Sequence, residues 1–311
     1  MSQVHPTHID DQGPPDDIRR LDEELSGVKD HLPEIDLLQQ RLHSLEGEVT
    51  LLRKRDEQLK CFMSQVDEEM RLAARLQRDF LPKQVPEVGR ARFHTVFRPA
   101  GYVSGDLYDI CRLDEHHVGF YMADAVGHGM PAALLTMFMK NALTTKEIMP
   151  AGYRLLPPSE TIARLNAILV NQHLSSAHFA TAVYGVLNTQ TLEGTFARAG
   201  HPDPVLMRAD GDMTELVGDG GLLGIFPDDD FAEVHFKLEP GDKLMVYTDG
   251  IEVALGGDGD TLDVYRWKTD VAERKHLPAG KFLDSLVELV DSKAGSLAPR
   301  DDLTIIMIEA Q

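Results

Sequence analysis

The sequence predicts an α+β domain built from two packed antiparallel sheets with helices outside, preceded by a long coiled-coil helix. From about residue 90, short β-rich stretches follow one another in runs instead of alternating with helices. They are too many for one open sheet, so two packed sheets are the economical arrangement. Before residue 80, apolar residues recur at spacings of three and four, which indicates a helix with a narrow apolar seam.

The predicted strands are ARFHTVF, HVGFYMAD, FATAVYGVL, GTFARAG, PVLMR, FAEVHFKL, DKLMVYTD and LTIIMIEA. Three helices interrupt them, at about 130–145, 159–173 and 278–292.

The N-terminal region divides into a polar tail predicted to be disordered, over 1–20, and a coiled coil with a linker helix, over 21–82. The clearest helical pattern covers 34–80, and Pro33 predicts a helix start or a break. One heptad frame contains Leu42, Leu45, Val49, Leu52, Leu59, Met63, Val66, Met70 and Ala73, with Asp56 as a polar core position. A single amphipathic helix lying on the next domain is the alternative, but the narrow seam favours a homodimer.

Composition argues against several classes of protein. The formal charge is −20, from 51 acidic and 31 basic residues, so nucleic acid and anionic membranes are not the expected partners. The two cysteines, Cys61 and Cys111, offer neither zinc spacing nor a disulfide framework, which fits the cytoplasm. Neither a signal-peptide pattern nor an apolar run of roughly 18 residues appears.

Acidic residues stand at four strand edges, beside glycine or at a tight entry. They are Asp106, Asp124, Asp249 and the doublet Asp301 and Asp302, and only Arg300 flanks one of them. A half-desolvated carboxylate must be paired, hydrogen-bonded or metal-bound. Each site taken alone reads as an ordinary Asp turn. If the four acidic sites converge in space, however, a ligand set made of carboxylate oxygens without cysteine predicts a site for Mg²⁺ or Mn²⁺.

Several motifs resemble the metal-dependent serine/threonine phosphatases of the PP2C (PPM) superfamily, in the bacterial branch of sporulation and stress-response partner switching. The resemblance covers about 70–311, with a phosphatase domain over 88–311. The motifs, in the family's order, are AARLQRDFLP, FRPAGYVSGDLYDI, MADAVGHGMPAALL, FATAVYGVL, ARAGHPDPVLMR, GGLLGI, LEPGDKLMVYTDGIEVA and RDDLTIIMI.

This resemblance implies a PP2C-like α/β/β/α sandwich with two Mn²⁺ or Mg²⁺ ions at one end. It implies an enzyme in which a metal-activated water attacks a phosphoserine or phosphothreonine, with a phosphorylated STAS-type anti-sigma antagonist as substrate. The implied ligands are Asp106, Asp124, the backbone carbonyl of Ala125, Asp249 and Asp301, with Asp302 as the alternative to the last.

Two positions depart from the eukaryotic relatives. Those proteins have a histidine two residues after the aspartate that corresponds to Asp124, where this chain has Val126. His128 is a weak candidate for a catalytic role, but its two flanking glycines favour a role in the turn. For gripping phosphate, Arg98 is a weak candidate in the matching N-terminal place.

The resemblance also implies control through the helix just before the domain. The residues expected to transmit it are Leu72, Leu76, Gln77, Phe80 and Met130, and an upstream sensor protein is a possible partner. Three other functions compete with the phosphatase. One is an inactive or weakly active family member that serves as a scaffold, and another is a nucleotidyl cyclase or other two-metal phosphoryl enzyme, for which no purine-binding or transition-state residues are recognisable. The third is a structural coiled-coil adaptor, which the regular pattern of the C-terminal 220 or so residues argues against.

Overall fold

The computed structural model describes residues 16–150, 152–172, 179–256, 266–294 and 301–311. The predicted disordered tail therefore lies largely outside the described residues, and so does Arg300. The described part forms two compact units, residues up to 68 and residues 69–311.

Six helices and twelve strands are described. The helices are α1 (Asp16–Phe80), α2 (Met130–Ala142), α3 (Pro158–Asn171), α4 (Gly250–Leu255), α5 (Arg266–Arg274) and α6 (Ala279–Ala294). The strands are β1 (Ala91–Arg98), β2 (Asp106–Arg112), β3 (His117–Ala125), β4 (Lys146–Met149), β5 (Gly152–Leu155), β6 (Ala180–Asn188), β7 (Glu193–Ala199), β8 (Val205–Met207), β9 (Met213–Glu215), β10 (Glu233–Lys237), β11 (Lys243–Tyr247) and β12 (Leu303–Ala310).

The strands form two five-stranded antiparallel sheets and one small hairpin. The first sheet has the order β1-β12-β11-β8-β9, the second has the order β10-β7-β6-β3-β2, and β4 pairs with β5. The predicted arrangement of two antiparallel sheets is thereby confirmed. Every strand predicted from the sequence is present, to within two residues at either end.

Three hydrophobic clusters produce the layers. Alternate strand residues turn inward, so Phe120 and Phe196 of the second sheet pack with Ile306 of the first in a core between the sheets. On the outside of the second sheet lie Met139 of α2 and Leu165 of α3. On the outside of the first sheet lie Trp267 of α5 and Phe282 of α6. The order of layers is therefore helix, sheet, sheet, helix.

Helix α1 differs from its predicted course at its beginning. It starts at Asp16, inside the segment assigned to the tail, and continues through Pro33 without interruption. The expected start or break at Pro33 is therefore wrong, because a proline removes one backbone hydrogen bond without preventing the helix on either side of it.

The strong periodic patterns missed some short elements. β4, β5 and β9 have only three or four residues each, and α4 and α5 are short as well. The predicted strands also do not include β2, which begins within one of the acidic motifs, at Asp106. Among the described residues, no helix is long and apolar enough to cross a membrane.

Candidate active site

The acidic residues singled out in the sequence meet at one end of the sandwich. In the second sheet, Asp106 at the start of β2 lies directly opposite Asp124 near the end of β3. In the first sheet, β11 ends two residues before Asp249, and β12 starts directly after Asp302. Since β11 and β12 are antiparallel neighbours, the end of one adjoins the start of the other. The fold thus brings these carboxylates together from distant parts of the chain.

Asp106 is the buried centre of this end. Its side chain is 2% exposed, and its Oδ2 accepts hydrogen bonds from Thr248 Oγ1 at 2.8 Å and Thr304 Oγ1 at 2.6 Å. Thr304 lies in β12 and Thr248 directly follows β11, so these bonds join the first sheet to the second. The remaining oxygen, Oδ1, is the one that these two bonds leave available.

The cluster is short of positive charge. Burial, and next the neighbouring Asp124, raise the pKa of Asp106 well above its usual value. Burial and the charges of Asp249, Asp301 and Asp302 raise the pKa of Asp124 to about 7, although a hydrogen bond with Asp106 opposes the shift. Partial desolvation and Asp301 also raise the pKa of Asp249. Within the described residues, no lysine or arginine forms an ion pair with these aspartates.

The two aspartates just before β12, Asp301 and Asp302, differ in burial and in hydrogen bonding. Asp302 is nearly buried, and its two carboxylate oxygens accept hydrogen bonds from Ala100 N at 2.6 Å and Gly105 N at 2.7 Å. Asp301 is exposed, and its Oδ1 accepts from the adjacent Asp302 N at 2.9 Å, the one hydrogen bond of its carboxylate to the described residues. Asp302 therefore holds the loop before β2, whereas Asp301 keeps oxygens available to a ligand.

Two glycines allow the backbone to approach the cluster closely. A Cβ on Gly250 would lie 1.8 Å from the carbonyl oxygen of Asp302, so no other residue fits after Asp249. A Cβ on Gly105 would lie 3.3 Å from the carbonyl oxygen of Ala125. The Ala125 carbonyl therefore lies against the loop that leads into Asp106.

His128 is exposed in the turn between β3 and α2. Its neighbours Gly127 and Gly129 have φ of 92° and 76°, in the left-handed region that favours glycine. Gly129 is also the residue that precedes α2, and Pro131 occupies the first turn of that helix. The two glycines therefore have the left-handed backbone conformation that their presence in the sequence predicts.

The five residues expected to transmit regulation occupy different environments. Leu72, Leu76 and Phe80 are exposed by 50%, 52% and 37%, and Met130 begins α2. Gln77 is 2% exposed: its Nε2 donates to Ser104 O at 2.7 Å, and its Oε1 accepts from Ser104 N at 2.9 Å. The last turns of α1 are thus bonded to the residue two positions before Asp106.

The sequence singled out Arg98 as a weak candidate for gripping phosphate and did not single out Arg198. Arg98 Nη2 lies 2.6 Å from Asp291 Oδ1 of α6, in an ion pair. Arg198, on β7, instead lines a cleft of about 350 Å³ together with Asp124 and Asp249. The signal available in the sequence was a basic residue two positions before a Gly-His turn at the end of a strand.

The residues present fit a divalent cation. Two facing carboxylates, one buried and one half-buried, that share a hydrogen bond favour either a shared proton or a shared cation. All candidate side-chain ligands are oxygens, which Mg²⁺ and Mn²⁺ prefer. In the part of the chain described, however, no three acidic, histidine or cysteine side chains are already spaced to hold an ion.

Comparison with known proteins gives the family. Residues 114–311 match the family of stage II sporulation protein E (SpoIIE). The phosphoserine phosphatase RsbU of Bacillus subtilis (strain 168) is 26% identical over 254 residues, which cover 80% of this chain and 72% of RsbU. The chain spans less than half the length of two further curated relatives, 32% and 45%.

Solved structures agree on the fold. The SiaA-PP2C domain of Pseudomonas aeruginosa has a TM-score of 0.67 at 20% identity, over 80% of this chain and 98% of that domain. RsbX in complex with magnesium has a TM-score of 0.51 at 17% identity, over 73% of this chain and 99% of RsbX. Since the family match covers more than half of the chain and the fold agrees with it, the chain belongs to the SpoIIE family, in the partner-switching branch of the PP2C-like phosphatases.

Proposed function

We propose that this chain is a metal-dependent protein phosphatase that removes phosphate from phosphoserine or phosphothreonine in a STAS-type partner protein. The observation that carries the proposal is the meeting of Asp106, Asp124, Asp249 and Asp301 at one end of the sandwich, beside an open cleft. RsbU, a phosphoserine phosphatase by name, supports phosphoserine as the substrate class.

The proposed ligands of two Mn²⁺ or Mg²⁺ ions are Asp106 and Asp124, the carbonyl of Ala125, and Asp249 with Asp301. When bound, the two ions supply positive charge for the phosphate dianion and lower the pKa of an attacking water. The magnesium complex of RsbX supports this class of cation. Asp302 is the weaker candidate because its two carboxylate oxygens already accept backbone hydrogen bonds.

The chain's own residues hold this site in place. Thr248 and Thr304 hold the Asp106 carboxyl through Oδ2, and these two bonds leave Oδ1 available as a ligand. Gly250 allows Asp249 to approach the start of β12, and Gly105 leaves the Ala125 carbonyl uncovered. No side chain is required as a nucleophile, and we assign His128 to the turn between Gly127 and Gly129, with a catalytic role as the weaker alternative.

The test is phosphate release from p-nitrophenyl phosphate and from a phosphorylated STAS-type protein, with and without Mn²⁺. Asp249→Asn is expected to lower turnover by more than about 100-fold, because an amide oxygen is a weaker ligand than a carboxylate. Asp284→Asn, which changes an exposed acid on α6, is the matched control and retains wild-type turnover. A wild-type chain that binds the phosphoprotein without releasing phosphate would make the chain a scaffold instead.

We also propose that α1 controls the site through its last turns. Gln77 bonds both backbone groups of Ser104, and Ser104 Oγ in turn accepts from Asp106 N at 3.0 Å. Lys140 of α2 donates to Phe80 O at the end of α1 and lies 3.3 Å from Asp109 of β2. A movement of α1 is therefore expected to reach both the start of β2 and the helix that follows Asp124. A homodimer formed through α1, or a sensor protein bound to it, is the proposed source of that movement.

A further inference from the structure

The cleft beside the candidate ligands is lined by several acidic residues and one basic side chain. The acidic lining residues are Asp124, Asp203, Glu215, Asp249 and Glu252, and Arg198 and His201 line the same cleft. Of the described lining residues, Arg198 is the one arginine or lysine. Burial lowers the pKa of His201 to about 3, so that histidine is neutral near pH 7 and adds no charge.

Strand register places Arg198 on the same face as the candidate ligands. Asp124 pairs with Thr181 of β6, and Val183, two residues further along β6, pairs with Arg198 of β7. Paired residues and residues two apart point to the same face of an antiparallel sheet. Two strand spacings, about 10 Å, and two residues along the strand, about 7 Å, separate the backbones of Asp124 and Arg198, which places them roughly 12 Å apart. A cation and a phosphate group fit between side chains projecting from these two strands.

Arg198 is held in position by the turn that follows β7. Its Nε lies 2.7 Å from Asp203 Oδ1, and its Nη1 donates to His201 O at 2.9 Å. Its side chain is 18% exposed, and the backbone of Gly218 flanks it, since a Cβ there would lie 3.6 Å from its Cγ. A guanidinium fixed in this way loses little conformational freedom when it binds an anion.

The guanidinium has hydrogen-bonding capacity beyond this anchor. It has five N–H groups: Nη1 donates to His201 O, whereas Nε lies 2.7 Å from Asp203 Oδ1 in an ion pair without hydrogen-bond geometry. In the described part of the chain, Nη2 has no protein partner. An anchor for the turn would not require the side chain to line the cleft, whereas a phosphate-binding residue must do so.

We propose that Arg198 binds the phosphate group of the substrate in the cleft that it lines together with Asp124 and Asp249. The proposal rests on the phosphatase function proposed above and assigns its phosphate contact to β7, not to Arg98 of β1. It gives Arg198 a binding role, with no proton transfer and no covalent step.

The test compares Arg198→Gln and Arg198→Lys with wild type in the full chain. The control is Arg208→Gln, which removes an arginine whose Nη1 lies equally close, 2.7 Å, to Asp242 Oδ2 but which does not line the cleft. Titration calorimetry measures the binding of inorganic phosphate to each Mg²⁺-loaded protein, independently of turnover. Thermal unfolding checks that each variant is folded, and steady-state kinetics with a phosphoserine peptide give KM and kcat separately.

Arg198→Gln is expected to weaken phosphate binding by about 10-fold or more and to raise KM by a similar factor, because a charge-assisted hydrogen bond is lost. Arg208→Gln is expected to leave phosphate affinity at the wild-type value. If the Gln variant does not fold, Arg198→Lys decides: a lysine cannot hold Asp203, the His201 carbonyl and phosphate together, so weaker binding is expected.

Wild-type phosphate affinity in a folded Arg198 variant would overturn the proposal, and so would an equal loss in Arg208→Gln. Failure of the phosphatase function has a different signature, because the wild-type chain itself would then release no phosphate with either metal. An active wild-type enzyme with an unaltered Arg198→Gln variant would refute only the role of Arg198.

Discussion

At the scale of single residues, neighbours of the same type have separate tasks. Asp301 and Asp302 are adjacent, yet Asp302 accepts two backbone hydrogen bonds from the loop before β2 while Asp301 stays exposed. The doublet resembles one motif in the sequence because both members are carboxylates at a strand entry. Hydrogen-bond partners that are distant in sequence distinguish them, and these partners are set by the fold.

Asparagine substitutions separate the two roles. Asp302→Asn is expected to lower the free energy of unfolding of the metal-free protein by about 2 kcal/mol, because a neutral amide accepts these N–H bonds less well and places an NH₂ group against one of them. Asp301→Asn is expected to change it by less than about 0.5 kcal/mol but to weaken Mn²⁺ binding. Urea unfolding and metal titration measure the two effects, and equal losses of stability would contradict the assignment.

His201 is a buried neutral side chain. Its pKa is lowered to about 3, first by burial, and its Nδ1 is 2.9 Å from Thr181 Oγ1. Because the folded-state pKa lies below the unfolded value of about 6.5, its contribution is present above pH 6.5 and is lost as pH falls toward 3.

Between pH 7 and pH 5, His201 alone is therefore expected to lower the free energy of unfolding by about 2 kcal/mol. The measurement is urea unfolding at both pH values. His201→Gln should remove this part of the pH dependence, whereas His116→Gln, which changes an exposed histidine, should retain it. The same slope in all three proteins would show that other groups cause it.

At the scale of elements, the end of α1 belongs to the phosphatase domain. The side-chain amide of Gln77 bonds both backbone groups of Ser104, donating to its carbonyl and accepting from its N–H, as a neighbouring strand would. The side chains around it on α1, Leu76 and Arg78, are exposed, so this one polar residue is the buried contact of its turn. Burial on a helix is predicted from the spacing of apolar residues. The burial of a glutamine such as Gln77 is therefore not predicted from that spacing.

Gln77→Ala is expected to lower the free energy of unfolding of the phosphatase domain by about 2 kcal/mol, since two backbone groups of Ser104 lose their partners. If α1 controls the site, Mn²⁺ affinity also falls. Arg75→Ala, on an exposed position of the same helix, is the control. Lower stability with unchanged Mn²⁺ affinity would leave Gln77 a purely structural residue.

At the scale of the whole molecule, the N-terminal part of α1 displays its apolar seam to solvent. Leu42, Leu45, Leu52 and Leu59 are each exposed by more than half in the single chain. Exposed leucines at heptad positions are typical of a helix that self-associates. This is consistent with the predicted homodimer, which remains a prediction.

Two adjacent leucines offer a matched test. Leu52 occupies a core position of the heptad frame and Leu51 an outward one, and the two are similarly exposed, by 61% and 51%. Leu52→Glu is expected to weaken self-association by about 10-fold or more, because it places a charge in the seam. Leu51→Glu should have little effect. Sedimentation equilibrium measures both, and phosphatase activity of the same samples shows whether association affects turnover. Equal behaviour of the two variants would exclude this seam.

The class of fold, nearly all of the long strands and the candidate acidic residues could be predicted from the amino-acid sequence. Local pattern is sufficient there, because alternation, heptad spacing and an aspartate that ends an apolar strand are properties of contiguous residues. The tertiary structure alone decided that these aspartates meet, that Asp302 differs from Asp301, and that Arg198 lines the cleft while Arg98 pairs with Asp291. These outcomes depend on which strand ends become neighbours. Sheet order and register decide which strand ends are neighbours, and both depend on packing between residues that are far apart in the chain.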